Sequence, residues 1–237
     1  MESCRINKYL AECGVCSRRE ADSLVQTGRV TVNGAAAVPG MKVTGEETIC
    51  VDGAPVAGRQ EKVLYAFYKP VGVTCSEKDA HAEHLVTEYF ADLPQRLTYA
   101  GRLDKDSEGL LLMTDDGDLI QSMMKGAMRH EKEYVVTIRE ELTPELIGKL
   151  EHGVYLPDLG VKTRPCRVKR RGEREFSMIL TQGLNRQIRR MCKACGAHVV
   201  SLKRIRVMNV ELGDLQPGER RRVEGEELET LYRSVGR

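Results

Sequence analysis

The chain of 237 residues has no tryptophan and only three phenylalanines. A binding platform built from many stacked aromatic rings is therefore not expected. Long apolar runs are missing too: segments such as Leu110-Leu111-Leu112-Met113 fall far short of the ~20 residues that span a bilayer. No apolar stretch follows Met1-Glu2-Ser3-Cys4-Arg5, so a secretory leader is not expected. Neither a G-x-x-x-x-G-K-S/T phosphate loop nor a dinucleotide-binding glycine pattern occurs. The eight cysteines, without a leader, suit a reducing compartment, the cytoplasm, and reduced thiols. An excess of one charge is also absent, since 37 Lys and Arg face 35 Asp and Glu for a net +2.

The distribution of that charge says more. Residues 162–206 hold fourteen Lys or Arg and two acids, a balance of +12, whereas residues 207–237 hold five Arg and seven acids. Such clustering points to an anionic partner met on one face, with nucleic acid first in line.

The first sixty residues read as a compact unit. Ile6, Tyr9, Leu10 and Cys13 follow i, i+3, i+4, i+7, one apolar helical stripe that Gly14 can end. Ser17-Arg18-Arg19-Glu20 has the capping-box spacing, and Ala21, Leu24 and Val25 continue a buried face up to Gly28. Arg29-Val30-Thr31-Val32 alternates like a strand before Asn33-Gly34, a tight-turn signal; a second strand is expected near residues 48–51 before Asp52-Gly53. Residues 57–62 read as a linker, giving domains at 1–60 and 61–237. The second domain opens on the apolar run Val63-Leu64-Tyr65-Ala66-Phe67-Tyr68. Expected strands are 110–114, 133–138, 161–168, 175–181 and 201–210; expected helices are 118–125, 143–151, 186–195 and 225–233. The class is α+β, with a mostly antiparallel sheet flanked by helices.

Two basic sites stand out. Arg18 and Arg19 fall in the first turn of a helix, where each cation costs about 0.3–1 kcal/mol, and that local cost suggests a use such as phosphate binding. The bland alternative is two solvated side chains offset by Glu20. The second site is a helix that Asn185 can cap and Gly196 can end. Ile188, Met191, Cys192 and Cys195 form its apolar stripe, while Arg186, Arg189, Arg190 and Lys193 form a cationic stripe one residue on. Four like charges without an interleaved acid favour an anion-facing role over a merely solvated face. Two C-x-x-C pairs, Cys13/Cys16 and Cys192/Cys195, raise a zinc reading. Their places on core stripes in different domains oppose it, and no metal or cofactor is expected. His81-Ala82-Glu83-His84 lacks a partner cluster, and His130, His152 and His198 are scattered.

Gly101-Arg102-Leu103-Asp104-Lys105-Asp106-Ser107-Glu108-Gly109 is the most informative stretch. If extended, it turns Arg102 and Asp104 to one side and Leu103 to the other. A neighbouring cation favours the ionised carboxylate, as a nucleophile or base requires. From the residues alone, a salt-bridged turn and a paired-carboxylate glycosidase both remain open.

Residues 5–34, through Arg5-Ile6-Asn7-Lys8-Tyr9-Leu10, Ser17-Arg18-Arg19-Glu20-Ala21 and Val32-Asn33-Gly34, resemble an S4 RNA-binding domain of two helices and a short curled sheet. Gly101-Arg102-Leu103-Asp104-x-Asp106-Ser107-x-Gly109-Leu110 resembles the central motif of RNA pseudouridine synthases of the RsuA/RluB/RluE/RluF family. Lys69-Pro70-x-Gly72, His130-Glu131-Lys132-Glu133-Tyr134 and Gly183-x-Asn185-Arg186-Gln187-Ile188-Arg189-Arg190-Met191 match three more of its motifs, in order. Tyr68 departs from the Asn often found before Lys-Pro. The Gln182-Gly183-Leu184-Asn185 version looks most like the RluF-type branch, which acts on large-subunit ribosomal RNA.

The resemblance implies conversion of uridine to pseudouridine in structured RNA, chiefly ribosomal, with a ribosomal particle or tRNA also conceivable as substrate. It implies Asp104 as the essential carboxylate, nucleophile or base, and Tyr134 stacked on the uracil. Arg189 is implied to pair with Asp104, Arg102 to help extrude the base, and Leu202 to line the pocket. RNA contacts are implied for Arg5, Lys8, Arg18, Arg19 and Arg29, with phosphates held by Arg186, Arg190 and Lys193. No cofactor and no membrane are implied, and a monomer is expected. The rivals are an S4-type RNA-binding or ribosome-assembly factor without activity, and a nucleoside or sugar hydrolase using Asp104 with Asp106.

Overall fold

The computed structural model describes residues 3–59, 61–76, 82–125 and 129–236. Its contacts cluster into two units, residues 1–63 with short additions from 94–96 and 115–117, and the remainder.

The first unit follows from local chemistry. Strand β1 (Cys4–Arg5) leads into helix α1 (Ile6–Glu12), and helix α2 (Arg18–Gln26) follows. The capping box is formed: the Glu20 N–H donates to Ser17 Oγ at 3.3 Å and the Ser17 N–H donates to Glu20 Oε2 at 2.9 Å. These bonds, with Arg96, hold the Glu20 carboxyl down at about 2. Strands β2 (Val30–Val32), β3 (Ala35–Ala36), β4 (Lys42–Val43), β5 (Ile49–Val51) and β6 (Ala54–Pro55) complete the unit. Asn33 and Gly34 join β2 to β3, and Asp52 and Gly53 join β5 to β6; all four residues have positive φ, as two-residue hairpin turns require. Ile6, Tyr9, Leu10 and Cys13 pack with Ala21, Val25 and Val30 in one core, as their spacing predicts.

The second unit is built on a nine-stranded sheet. Its members in chain order start with β7 (Leu64–Lys69), β8 (Thr98–Ala100) and β9 (Glu108–Thr114). Helix α3 (Gly117–Met124) precedes β10 (Lys132–Ile138) and helix α4 (Pro144–Glu151). A small hairpin of β11 (Tyr155–Leu156) and β12 (Val161–Lys162) lies off the sheet. Then come β13 (Arg167–Arg170), β14 (Glu175–Leu180), helix α5 (Gln187–Ala194) and β15 (Val199–Val207). Strands β16 (Val210–Glu211) and β17 (Arg220–Arg222) precede helix α6 (Gly225–Ser234). The order is β13-β14-β10-β15-β9-β7-β17, with β16 on β15 and β8 on β9.

One pairing in this sheet differs from the rest. β9 and β15 run parallel and meet at only two positions, Lys203↔Glu108 and Arg204↔Gly109, whereas the other pairings are antiparallel. The short seam joins two half-sheets, each with its own core. One core gathers Leu110, Leu112, Leu119 and Leu231; the other gathers Val136, Phe176, Ile188 and Met191. Leu110, Leu111 and Leu112 are wholly buried, because β9 is central and covered on both faces. Each such leucine contributes about 1.5–3 kcal/mol by burial.

Three expected elements need correction. The strand expected over 161–168 is two strands, β12 and β13, and Pro165, which has no N–H for a ladder, lies between them. The strand expected over 201–210 breaks at Met208, whose φ of +55° turns the chain back as β16. Asn185 does not cap α5: Arg186 occupies the cap position with φ +51°, and no side chain caps the helix there.

Candidate active site

A cavity of about 530 Å³ lies beside the β9–β15 seam, lined by Arg204 and the loop before β9. Segments far apart in sequence line it: Arg102 and Asp104 from the loop before β9, Lys132 and Tyr134 from β10, Arg186 from the start of α5, and Leu202 and Arg204 from β15. Sheet register explains part of this gathering. Tyr134 lies directly opposite Arg204, and Arg204 lies opposite Gly109, so three neighbouring strands place Tyr134, Arg204 and the loop's end in one row.

The loop is a braced turn. The Ser107 N–H donates to Asp104 O at 3.0 Å, and the wholly buried Ser107 anchors it. Gly101 and Gly109 have φ of +80° and +103°. Arg102 is exposed, Leu103 is buried and Asp104 is half-exposed, the alternation expected of an extended stretch. Beneath it the Gly72 N–H donates to Lys105 O at 2.8 Å. Lys69 is completely buried and its Nζ donates to Pro70 O and Val73 O, each at 2.8 Å. Burial pushes its ammonium down to about 8, partly opposed by Cys75, Asp106, Asp104 and Glu108. Tyr68, the departure from the usual Asn, donates its hydroxyl to Glu108 Oε2 at 2.8 Å and so braces the same turn.

The arginines of α5 are distributed differently from the expectation. Arg189 does not pair with Asp104. Its Nε lies 3.3 Å from Asp106 Oδ2, and its Nη2 donates to Asp106 O at 2.7 Å. The cation at Asp104 is Arg186, whose Nη1 lies 3.7 Å from Asp104 Oδ2. Arg186 also forks onto Asp106, at 3.1 and 2.7 Å, and holds that carboxyl below its ordinary range. Arg186 is the residue at the cap position of α5, with φ +51°, and precedes the helical stripe to which Arg189 belongs.

Other expected RNA contacts are already engaged within the protein. Arg190 donates to Asp158 at 2.6 Å, Lys8 lies 3.6 Å from Glu12, and Arg29 grips Asp52. Asp158 and Asp52 come from other segments, whereas Glu12 lies one helical turn beyond Lys8, at i+4 on the same face of α1. Arg5, Arg18, Arg19 and Lys193 are exposed.

Several residues of the site were absent from the sequence expectations. Arg204 is 2% exposed; its Nε donates to Leu110 O at 2.7 Å and its Nη1 to Arg102 O at 3.4 Å. A signal existed, since alternation on β15 puts Arg204 in phase with the buried Leu202. Lys132 lines the cavity beside it, and burial together with the Arg204 charge lowers its ammonium. His130, regarded as scattered, also lines the cavity. His81 lies outside the described residues. Among the described residues no cluster of three His, Cys, Asp or Glu could hold a metal ion. Burial raises the Cys192 thiol to about 12, which suits a core side chain.

Comparison with known proteins decides what this cavity belongs to. Residues 63–194 match the family model described as RNA pseudouridylate synthase, and residues 4–49 match the S4 domain. The chain belongs to the RNA pseudouridine synthase family. It is 40% identical over 235 residues to the dual-specificity RNA pseudouridine synthase RluF of Escherichia coli (strain K12), covering 98% of this chain and 80% of that protein. It is 36% identical to the ribosomal large subunit pseudouridine synthase B of Bacillus subtilis (strain 168), covering 96% and 95%. A crystal structure of a pseudouridylate synthase matches the synthase fold with a TM-score of 0.71 and 27% identity over 96% of this chain and 99% of the other.

Within the synthase the cavity has a clear chemical character. It holds one half-exposed carboxylate, Asp104, among Arg102, Lys132, Arg186 and Arg204, with the Tyr134 ring on one wall and Leu202 nearby. Such a site offers a ring face to a planar base and a carboxylate among cations to an anionic chain.

Proposed function

We propose that this synthase isomerises uridine in ribosomal RNA of the large subunit, with Asp104 as the reacting carboxylate. The reaction breaks the N1–C1′ bond, turns the base and joins C5 to C1′; C5 gives up its hydrogen and N1 gains one. Redox state and water balance are unchanged, so the chemistry calls for no redox partner. Asp104 acts at the sugar as nucleophile or as base. Tyr134 stacks on the uracil and receives the C5 proton, and Leu202 closes the pocket. Arg102, exposed at the cavity mouth, fills the place the base leaves. Arg186 is the cation that orients Asp104, the part first expected of Arg189. Residues 1–60 serve as the S4 unit and 61–237 as the catalytic unit. Arg5, Arg18 and Arg19 meet RNA from the first, and Lys193 from the second. The protein works as a monomer in the cytoplasm, and among the described residues no helix is long and apolar enough to cross a membrane.

The observation that carries this reading is the cavity itself: Arg102, Asp104, Tyr134 and Leu202, from three separated segments, line one wall system in a chain of this family. The test uses ribosomal RNA transcripts labelled with tritium at uridine C5. Release of the label with the base retained in the chain supports the proposal. Release of free uracil would make the protein a hydrolase. Tight binding without label release would make it an inactive S4-type factor.

A further inference from the structure

We propose that Arg204 is the positioning residue of the synthase site, holding both ends of the Asp104 loop and fixing that loop against Tyr134. This rests on the reading of Asp104 as the reacting carboxylate. Arg204 is one of the largest fully buried side chains in the protein. Buried arginines are ordinarily paired with a carboxylate. Among the described residues no acid pairs with Arg204. Its donors go instead to two backbone carbonyls: Leu110 O at 2.7 Å, just after the loop, and Arg102 O at 3.4 Å, just before Asp104. Its own backbone seats the loop a third time, since Arg204 pairs with Gly109 across the parallel seam. The fit there is close enough that a Cβ on Gly109 would lie 2.2 Å from Arg204 O. Across the other edge Arg204 is the direct partner of Tyr134. One residue therefore touches the start and end of the loop and the strand position of the stacking ring.

The arrangement is also incompletely satisfied. The bond to Arg102 O is long, and Nη2 is buried with no acceptor. Buried donors are ordinarily satisfied, so this one calls for a partner. Catalytic hydrogen bonds in a site without substrate are commonly long and tighten when the substrate binds. Arg102 lines the cavity, so its carbonyl is the acceptor placed to close on Arg204 when a base enters.

Arg204→Lys and Arg204→Met test this in the full-length protein. Lysine keeps the charge but loses the planar fork that reaches two carbonyls. The expected result for Arg204→Lys is a kcat at least about tenfold lower. Its RNA affinity should stay near that of the unaltered protein, and its melting temperature should fall by only the few degrees that one or two lost hydrogen bonds predict. Amide hydrogen exchange across residues 102–107 should speed up, while exchange in α4 and α6 stays unchanged. Arg204→Met should show the same pattern more strongly; if it does not fold, the lysine variant decides. An unchanged kcat, or unchanged exchange in the loop, would overturn the proposal. The exchange measurement needs no activity, so it stands even if Asp104 proves not to be the reacting group.

Discussion

Gly109→Ala is the substitution whose cost the structure fixes most closely. Gly109 has φ +103°, outside the small left-handed region that other residues tolerate, so alanine there costs about 1–3 kcal/mol in backbone strain. The added Cβ would lie 2.2 Å from Arg204 O and 2.7 Å from Arg204 N. Both are backbone atoms of the neighbouring strand, so no rotamer change relieves the clash. The strands must part at their two-residue parallel seam, which gives up hydrogen bonds worth about 0.5–1.5 kcal/mol each. With two such bonds lost the sum is roughly 2–6 kcal/mol, a large share of the ~5–15 kcal/mol that stabilises a typical domain. Urea denaturation should show a lower midpoint, and conversion of uridine should fall further than stability because the loop moves. Gly148→Ala is the control. That glycine lies inside α4 with nothing within 4 Å of its Cβ position, and alanine there should stabilise by about 0.5–1 kcal/mol. A Gly109→Ala protein as stable and active as the unaltered one would refute the reasoning about the seam.

Other outcomes follow from the same contacts. Ser17→Ala removes the hydroxyl that caps α2 and should destabilise the S4 unit by about 1 kcal/mol, measured by thermal melting; no change would mean the capping box is not formed in solution. Arg186→Ala should lower kcat more than Arg189→Ala, because Arg186 faces both Asp104 and Asp106; the reverse ranking would restore Arg189 as the partner of Asp104. Lys69 is held at about 8, below its ordinary 10.5, so between those values the unfolded chain binds a proton that the folded chain does not. Stability should therefore rise with pH across that window, by roughly 1–3 kcal/mol, and Lys69→Met should flatten the rise. A profile that falls there, or that Lys69→Met leaves unaltered, would contradict the buried charge.

What was legible in the sequence was local. The capping box at Ser17 and Glu20, the turns at Asn33-Gly34 and Asp52-Gly53, and the apolar stripes of α1 and α5 rest on contacts within a few residues, and each is found. The strand errors at Pro165 and Met208 came from reading apolar alternation through a residue that interrupts the ladder. For Pro165 the missing N–H was visible in the sequence; for Met208 the positive φ was not. The strand order and the parallel seam of the large sheet depend on contacts between segments some ninety residues apart, which no periodicity displays. The same holds for the site. The motif around Asp104 was readable, and its companions Arg102, Tyr134 and Leu202 do line one cavity. Partner choice was not readable, because Asp106 and Asp158 reach Arg186, Arg189 and Arg190 from outside the helix.

The most direct test of the account is Asp104→Asn, assayed with tritium-labelled ribosomal RNA. The change keeps size and shape but removes the charge. No release of label above background is expected, with RNA affinity within about threefold of the unaltered protein, since phosphate contacts rather than Asp104 hold the RNA. Label release at the unaltered rate would contradict the claim that this carboxylate carries the reaction.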